Sequence, residues 1–405
     1  MHRETLFRAH SFIDIDAVRA EGSRIFDAPG RKVLDMESGI WCAVLGHGHP
    51  RIVSAAKKQM DLVVHLGTRI VNSTVVSAAE ELLSVCPMPG GRVVFLTSGS
   101  ESVEFGIRAA RQFTNRPSIC VIRGSYLGAF GMAGHASGVE PGKGVVSVDL
   151  PDCSWCRSQV DPPPCSSGEC RECLPELEGQ LDSVAAFVLE PILVSGGIIV
   201  PPAGFVRKVA GLVKERGGLV MSDEVTCGFG RTGGWFGFQL FGLYPDIVAV
   251  GKGLGNGFPV SACIVKGEIE ERLFSRNFRY VQSHQFDPFG CAVAREVIKV
   301  IKEEALIERG RSAAERLWAG LEGIRSRGPL ISEMRGSGLL VGIELARKGE
   351  LTREETCSQT TDRLLERGIL VGVNPKLGLI RLLPPLIISD GEIDFFMSEF
   401  EESLQ

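Results

Sequence analysis

Two segments carry residue types that make and break bonds at an amine-bearing carbon. Met221-Ser222-Asp223-Glu224-Val225 and Val248-Ala249-Val250-Gly251-Lys252-Gly253 each run from a short apolar stretch into a charged residue. Such stretches suit buried parallel strands, whose carboxyl ends form the ligand-binding edge of an open α/β sheet. A lysine at that edge, set between glycines, is partly desolvated, which favours the neutral amine that condenses with a carbonyl. An aspartate on a neighbouring strand can keep a pyridine nitrogen protonated, so that the ring accepts electrons from a carbanion. Lys252 as Schiff-base lysine and Asp223 as ring-nitrogen partner therefore suit pyridoxal 5'-phosphate. The same two segments also fit a lysine in a glycine-rich turn that meets only phosphate or solvent.

A third segment, Phe95-Leu96-Thr97-Ser98-Gly99-Ser100-Glu101, passes from a strand pattern through small residues into a helix pattern. The amides of Gly99 and Ser100 and the Ser100 hydroxyl can then face an anion at a helix N-terminus, which suits a cofactor phosphate. Taken alone the turn is unspecific, since most such turns only cap their helix.

These residues need a scaffold that brings strand ends together. The chain has 405 residues, beyond the roughly 250–300 residues of a single core, so a large and a smaller domain are expected. Strands are predicted at Val93–Thr97, Ile119–Ile122, Val184–Leu189, Leu219–Ser222 and Ile247–Val250, alternating with helices of which Glu101–Phe113 is clearest. This alternation predicts an α/β domain around a mainly parallel sheet. From about residue 290 a long helix through Val293, Val297 and Val300 and a second at Ala313–Ile324 lead into an α+β region with strands at Leu339–Leu345, Ile369–Val373 and Leu379–Leu383. The expected division is an N-terminal segment 1–50 that joins the small domain, a large domain 51–290 and a small domain 291–405.

The 49 glycines mark tight turns, and the net charge of −5 comes with no long basic run. Small molecules are thus expected as partners, and neither nucleic acid nor a membrane. No apolar stretch approaches the ~20 residues of a spanning helix, and Met1–His10 is too polar for a secretory core, so a cytoplasmic location is expected. In that setting the 12 cysteines favour free thiols or a metal site over disulfides.

Six stretches in order along the chain resemble the class III pyridoxal-phosphate aminotransferases, and within that class the motifs are most similar to dialkylglycine decarboxylase. They are Leu34–Gly39 with Ala43–Pro50, the Thr97–Glu101 turn, Glu190–Gly197, Asp223–Gly233 and Ile380–Pro385. The resemblance implies a fold-type I architecture and roles for particular residues. Lys252 would hold the cofactor and move the proton, Asp223 would meet the ring nitrogen, and Ser98, Gly99 and Ser100 would surround the phosphate. Val225 would pack on one ring face and Tyr126 stack on the other. Ser283 matches a threonine that relatives lend to the partner subunit's phosphate, which makes the functional unit a homodimer or a dimer of dimers. Arg381 falls where the family grips a substrate α-carboxylate, a task suited to a planar fork of donors.

The chain departs from the family at several positions. Ser195 stands where ω-amine enzymes carry a glutamate that shields the arginine, which leaves Arg381 available and favours substrates with an α-carboxylate. Ile40, before Trp41, replaces the decarboxylase's catalytic glutamine and cannot donate a hydrogen bond to a departing carboxylate. Thr226 replaces a glutamine near the cofactor's phenolic oxygen, and Leu127 replaces a histidine beside Tyr126. An insertion places Cys153, Cys156, Cys165, Cys170 and Cys173, five of the 12 cysteines, within 21 residues. Paired Cys-x-x-Cys spacing suits zinc or an iron–sulfur cluster; a loop of free thiols or redox disulfides is the other reading. His47 and His49 could ligate a metal but fit a turn.

The expected activity is transfer of an amino group between an amino acid or amine donor and a 2-oxo acid acceptor. A decarboxylase or an ammonia or phosphate lyase using the same cofactor is the alternative. A non-catalytic protein on the same fold is disfavoured because Lys252 and Asp223 are both present.

Overall fold

A computed structural model describes residues 5–7, 9, 12–139, 142–151 and 174–405. The insertion with Cys153, Cys156, Cys165, Cys170 and Cys173 lies outside the described residues. The seven described cysteines are free thiols.

Seven strands form the central sheet: β4 (Arg92–Leu96), β5 (Ser118–Ile122), β6 (Val145–Val148), β7 (Val184–Leu189), β8 (Leu219–Asp223), β9 (Ile247–Val250) and β10 (Ser261–Val265), in the spatial order β4-β10-β9-β8-β7-β5-β6. β5 to β9 pair in parallel, while β10 runs antiparallel between β9 and β4. Every residue of β5, β7, β8, β9 and β10 is buried, as strands covered on both faces require. The helix Gly99–Thr114 covers one face through Val103, Ile107 and Ala110, and the helices Ala203–Glu215 and Pro288–Glu303 pack against the other.

Three short N-terminal strands, β1 (Ala17–Glu21), β2 (Arg24–Asp27) and β3 (Lys32–Asp35), were not expected from the sequence. They form a second sheet closed by β13 (Ile369–Leu370), which pairs in parallel with β3. A third sheet takes β11 (Ile331–Ser337), β12 (Leu340–Leu345), β15 (Leu379–Leu382) and β14 (Gly372–Asn374), in that order. The stretch expected as one strand at Ile369–Val373 is therefore two. Its first half serves the N-terminal sheet and its second half the C-terminal one, so the two sheets share a crossing point beside the site.

Between β3 and the helix Pro50–Leu62 the chain makes one turn of left-handed helix. Ser38, Gly39, Ile40 and Trp41 have φ of 49°, 59°, 53° and 72°, closed by Trp41 N–H to Glu37 O at 2.7 Å and Cys42 N–H to Ser38 O at 3.0 Å. Left-handed helix costs an L-residue roughly 1–2 kcal/mol, so the three non-glycine residues need outside support. Buried Asp35 supplies it. Its carboxylate accepts from the amides of Glu37 (2.9 Å) and Gly39 (2.8 Å) and pairs with His47 Nε2 at 2.8 Å. Ser38 Oγ adds a hydrogen bond to Leu383 O at 2.7 Å.

Candidate active site

The carboxyl ends of β4, β7, β8 and β9 converge on one edge of the central sheet. β8 ends on Asp223, in register with Ala249 of β9, three residues before Lys252. Lys252 opens a 3-10 turn with φ of 38°, a strained value of the kind found at functional positions. Its Nζ donates to Thr226 Oγ1 at 2.6 Å and lies 4.6 Å from the centroid of the Trp41 ring. Burial lowers the proton affinity of the amine, and the carboxylate of Asp223 opposes that shift.

Asp223 is 4% exposed, and burial pushes its carboxyl up to about 7, against the pull of the Val225 amide and of Lys252. Its Oδ1 accepts from Val225 N–H at 3.0 Å. A carboxylate buried with one neutral donor has an unmet demand for a cation, which a protonated pyridine nitrogen would answer. Val225 crosses in front of the Gly99 turn so closely that a Cβ on Gly99 would stand 2.6 Å from Val225 Cγ1.

Ser98 is the N-cap of the helix Gly99–Thr114, in a reciprocal capping box with Glu101. Its hydroxyl accepts from the Glu101 amide at 3.3 Å, so it serves the helix first. Ser100 Oγ accepts from Ala129 N–H at 3.1 Å. The Gly99 and Ser100 amides, first in the helix, have no acceptor within it and are left for an anion.

Arg381 lies on β15 with its Cζ 5.1 Å from the Trp41 ring, so the guanidinium and the lysine amine both lie against one indole. Its Nη2 donates to Val373 O at 3.3 Å, while its Nε is shielded from water without a partner. Glu37 Oε1 lies 3.9 Å from Nη2. Ser195 brings no carboxylate to Arg381, but the turn that follows β3 places that of Glu37 near it. Burial raises the proton affinity of Glu37 and lowers that of Arg381, and each charge opposes the other's shift.

Tyr126 is 40% exposed, and its amide donates to Glu190 Oε2 at 2.9 Å. Glu190, one residue beyond β7, also accepts from Val194 N–H at 3.2 Å. Burial first, and Asp223 second, push it up to about 8. The Glu190–Gly197 loop, which includes Ser195, lies against the Tyr126 turn so tightly that a Cβ on Gly196 would meet Gly124 O at 2.7 Å. Ile40 is 63% exposed at the outer side of the left-handed turn. Leu127 is buried, its amide donating to Ser137 Oγ at 2.7 Å. Ser283 is exposed and bonds to none of these residues. Its loop is tied down by Asp287, which pairs with His284 and His65 at 2.6 Å each.

The structure therefore gathers Lys252, Asp223, Thr226, Val225, Gly99, Trp41 and Arg381, with Tyr126 and Ser195 on an adjoining wall and Ser283 apart. Sequence reasoning gave no role to Glu37, Glu190 or the Asp35–His47 pair. Glu190 carried a usable signal: it ends an apolar strand as Asp223 does. Glu37 carried none, because its partner is more than 300 residues away. His47 pairs with Asp35, and His49 occupies the N-cap position of the helix Pro50–Leu62 without a side-chain capping bond, so both belong to the turn.

A buried lysine and aspartate at the carboxyl edge of a seven-stranded sheet, with free helix amides beside them, define an enzyme of the pyridoxal-phosphate transferase kind. The family model described as aminotransferase class-III matches residues 7–404, and the chain belongs to that family. It is 31% identical to an uncharacterized aminotransferase of Bacillus subtilis, over 98% of this chain and 93% of the relative. It is 30% identical to acetylornithine aminotransferase of Streptomyces coelicolor, over 97% and 92%. The PMP-bound aminotransferase of Vibrio fluvialis superposes with a TM-score of 0.87 at 26% identity, covering 99% of this chain and 96% of that one. The protein is an aminotransferase that moves an amino group between an amino donor and a 2-oxo acid. These matches do not show a special closeness to dialkylglycine decarboxylase.

Proposed function

We propose that the site acts on donors and acceptors bearing an α-carboxylate, with Arg381 as the carboxylate clamp, Trp41 as the floor that clamp and lysine share, and Lys252 as the proton carrier. The observation that carries this reading is the shared indole: Lys252 Nζ and Arg381 Cζ lie 4.6 and 5.1 Å from the Trp41 centroid. A substrate spanning the two cations would lay its α-carbon near the amine and its carboxylate at the guanidinium fork.

The residues fit pyridoxal phosphate, whose ring when bound stabilises negative charge on the substrate carbon. Asp223 would hold the ring nitrogen protonated, Val225 and Tyr126 would confine the ring, and the Gly99 and Ser100 amides would take the phosphate. Thr226 orients the Lys252 amine by accepting its hydrogen bond, and desolvation shifts the amine toward the neutral form that accepts a proton. Nothing at the exposed Ile40 can donate to a departing carboxylate, so amino transfer rather than decarboxylation is the reading the site favours.

A second copy of the chain would complete the site by bringing Ser283 to the partner's phosphate. Support comes from Met60, Leu62, Val64, Ile70, Val71 and Val76, apolar side chains left exposed within one segment. The pairing of β13 with β3 supports a division in which residues 1–50 join a small domain at 291–405. Zinc or an iron–sulfur cluster at the cysteine-rich insertion stays a proposal resting on its Cys-x-x-Cys spacing.

Single-turnover spectroscopy tests the clamp. Wild-type protein should give up its amino-accepting absorbance on adding an α-amino acid and regain it on adding a 2-oxo acid. Lys252→Ala should lose the band of lysine-bound cofactor, and Arg381→Ala should retain it while needing at least tenfold more amino acid. An Arg381→Ala variant as responsive to α-amino acids as the wild type would refute the clamp.

A further inference from the structure

The helix Gly99–Thr114 has 16 residues, so its C-terminal end lies ~24 Å from the phosphate turn. There Arg108, Arg111, Arg116 and Arg279, with Gln112, Asn115 and Asn277, line a depression of about 510 Å3. Small-molecule sites enclose roughly 300–1,000 Å3. No carboxylate lines the depression.

Neutral partners fix several of these groups. Arg116 donates to the carbonyls of Val184, at 3.0 Å, and of Arg216. Arg108 lies 5.2 Å from the centroid of the Tyr280 ring. Arg276 donates to Gln112 O and Phe113 O at 3.2 Å each, which ties the segment carrying Asn277 and Arg279 to the helix end. Nε of Arg111 is shielded from water and has no hydrogen-bond partner. Among the described residues no carboxylate forms an ion pair with any of the four arginines. The field of Glu104 reaches Arg108 and Arg111, but its carboxylate accepts from the Ala133 amide at 3.1 Å.

Four positive charges thus share one concavity that no carboxylate lines, with about half a negative charge at the helix C-terminus. Like charges held this close favour a multiply charged anion, and planar guanidinium forks match phosphate oxygens. A single phosphate is too small to engage groups spread around such a depression. We propose that it binds a chain of two or more phosphates, free or carried on a nucleoside.

Titration calorimetry on the cofactor-loaded protein tests this, because the cofactor then fills its own phosphate seat. Inorganic triphosphate and ADP are titrated separately. Saturable binding of at least one, weakened fivefold or more by Arg279→Gln and by Arg111→Gln, with an unchanged cofactor spectrum, is the expected result. Tighter binding of ADP assigns the chain to a nucleoside, and tighter binding of triphosphate assigns a free chain. Arg279 is exposed, so its substitution leaves the fold intact. Failure of both probes to saturate, or equal affinity for the wild type and Arg279→Gln, would overturn the proposal, a partner subunit covering the depression being one route to the first.

Discussion

Replacing Glu37 by glutamine should make the enzyme bind 2-oxo acids more tightly. Glu37 Oε1 stands 3.9 Å from Arg381 Nη2, where two unit charges attract by about 4 kcal/mol at an effective dielectric of ~20. Both groups are largely withdrawn from water, and that desolvation offsets most of the attraction, leaving on the order of 1 kcal/mol. A substrate carboxylate must compete with this residue for the guanidinium. Removing the competitor should lower KM for the 2-oxo acid about fivefold and change kcat less than twofold. The assay is steady-state kinetics with a 2-oxo acid, beside half-reaction kinetics with an amine that lacks a carboxylate and should not respond. Because burial raises the Glu37 carboxyl, the competitor is neutralised as pH falls, so wild-type KM should fall with pH and Glu37→Gln should lose that dependence. A higher KM in the variant would mean that Glu37 positions Arg381, and equal shifts for both substrates would mean a general disturbance; either refutes the competition.

Three further outcomes follow from the geometry. Asp35→Asn weakens the support of the left-handed turn and should raise KM for α-carboxylate substrates by tenfold or more through misplacement of Trp41, with His47→Gln giving a smaller effect; unchanged KM in a folded Asp35→Asn protein would dissociate the turn from binding. Gly99→Ala forces a Cβ to 2.6 Å from Val225 Cγ1, an overpacking cost of roughly 1–3 kcal/mol, and should weaken cofactor binding in equilibrium dialysis by about tenfold while circular dichroism stays native. In the cofactor-free protein the carboxyls of Asp223, Glu224 and Glu190 are raised to about 7, 7 and 8. Groups raised on folding contribute stability that is complete below ordinary carboxylate values and lost as pH rises through 7–8. Tm should therefore fall across that window, and Asp223→Asn should make the fall shallower; identical slopes would count against a raised Asp223.

The residues proposed to perform the chemistry were legible because each closes an apolar run. Asp223 ends β8 and Lys252 follows β9, and a charged residue at the end of a fully buried strand must sit at the sheet's carboxyl edge, where ligands bind. The Ser98–Glu101 turn was legible for a similar reason, since a capping box is written in four consecutive residues. Strands β6 and β10 were not singled out, and the antiparallel direction of β10 is set by its pairing with β9 and β4 rather than by its own apolar residues. The split of Ile369–Val373 between two sheets was not legible either, because the two partners, β3 and β15, lie on opposite sides of it in the chain.

Local sequence thus picked out the residues proposed as the cofactor's attachment point, ring partner and phosphate turn, whose signals span a few residues each. Tertiary structure alone decided the substrate side. Trp41 meets both cations because Asp35, His47 and Leu383 O hold a left-handed turn that three of its four residues disfavour. Glu37 accompanies Arg381 because β15 and the end of β3 meet at one place. Contacts between residues more than 300 positions apart leave no periodic pattern in the chain, and only packing of the three sheets brings them together.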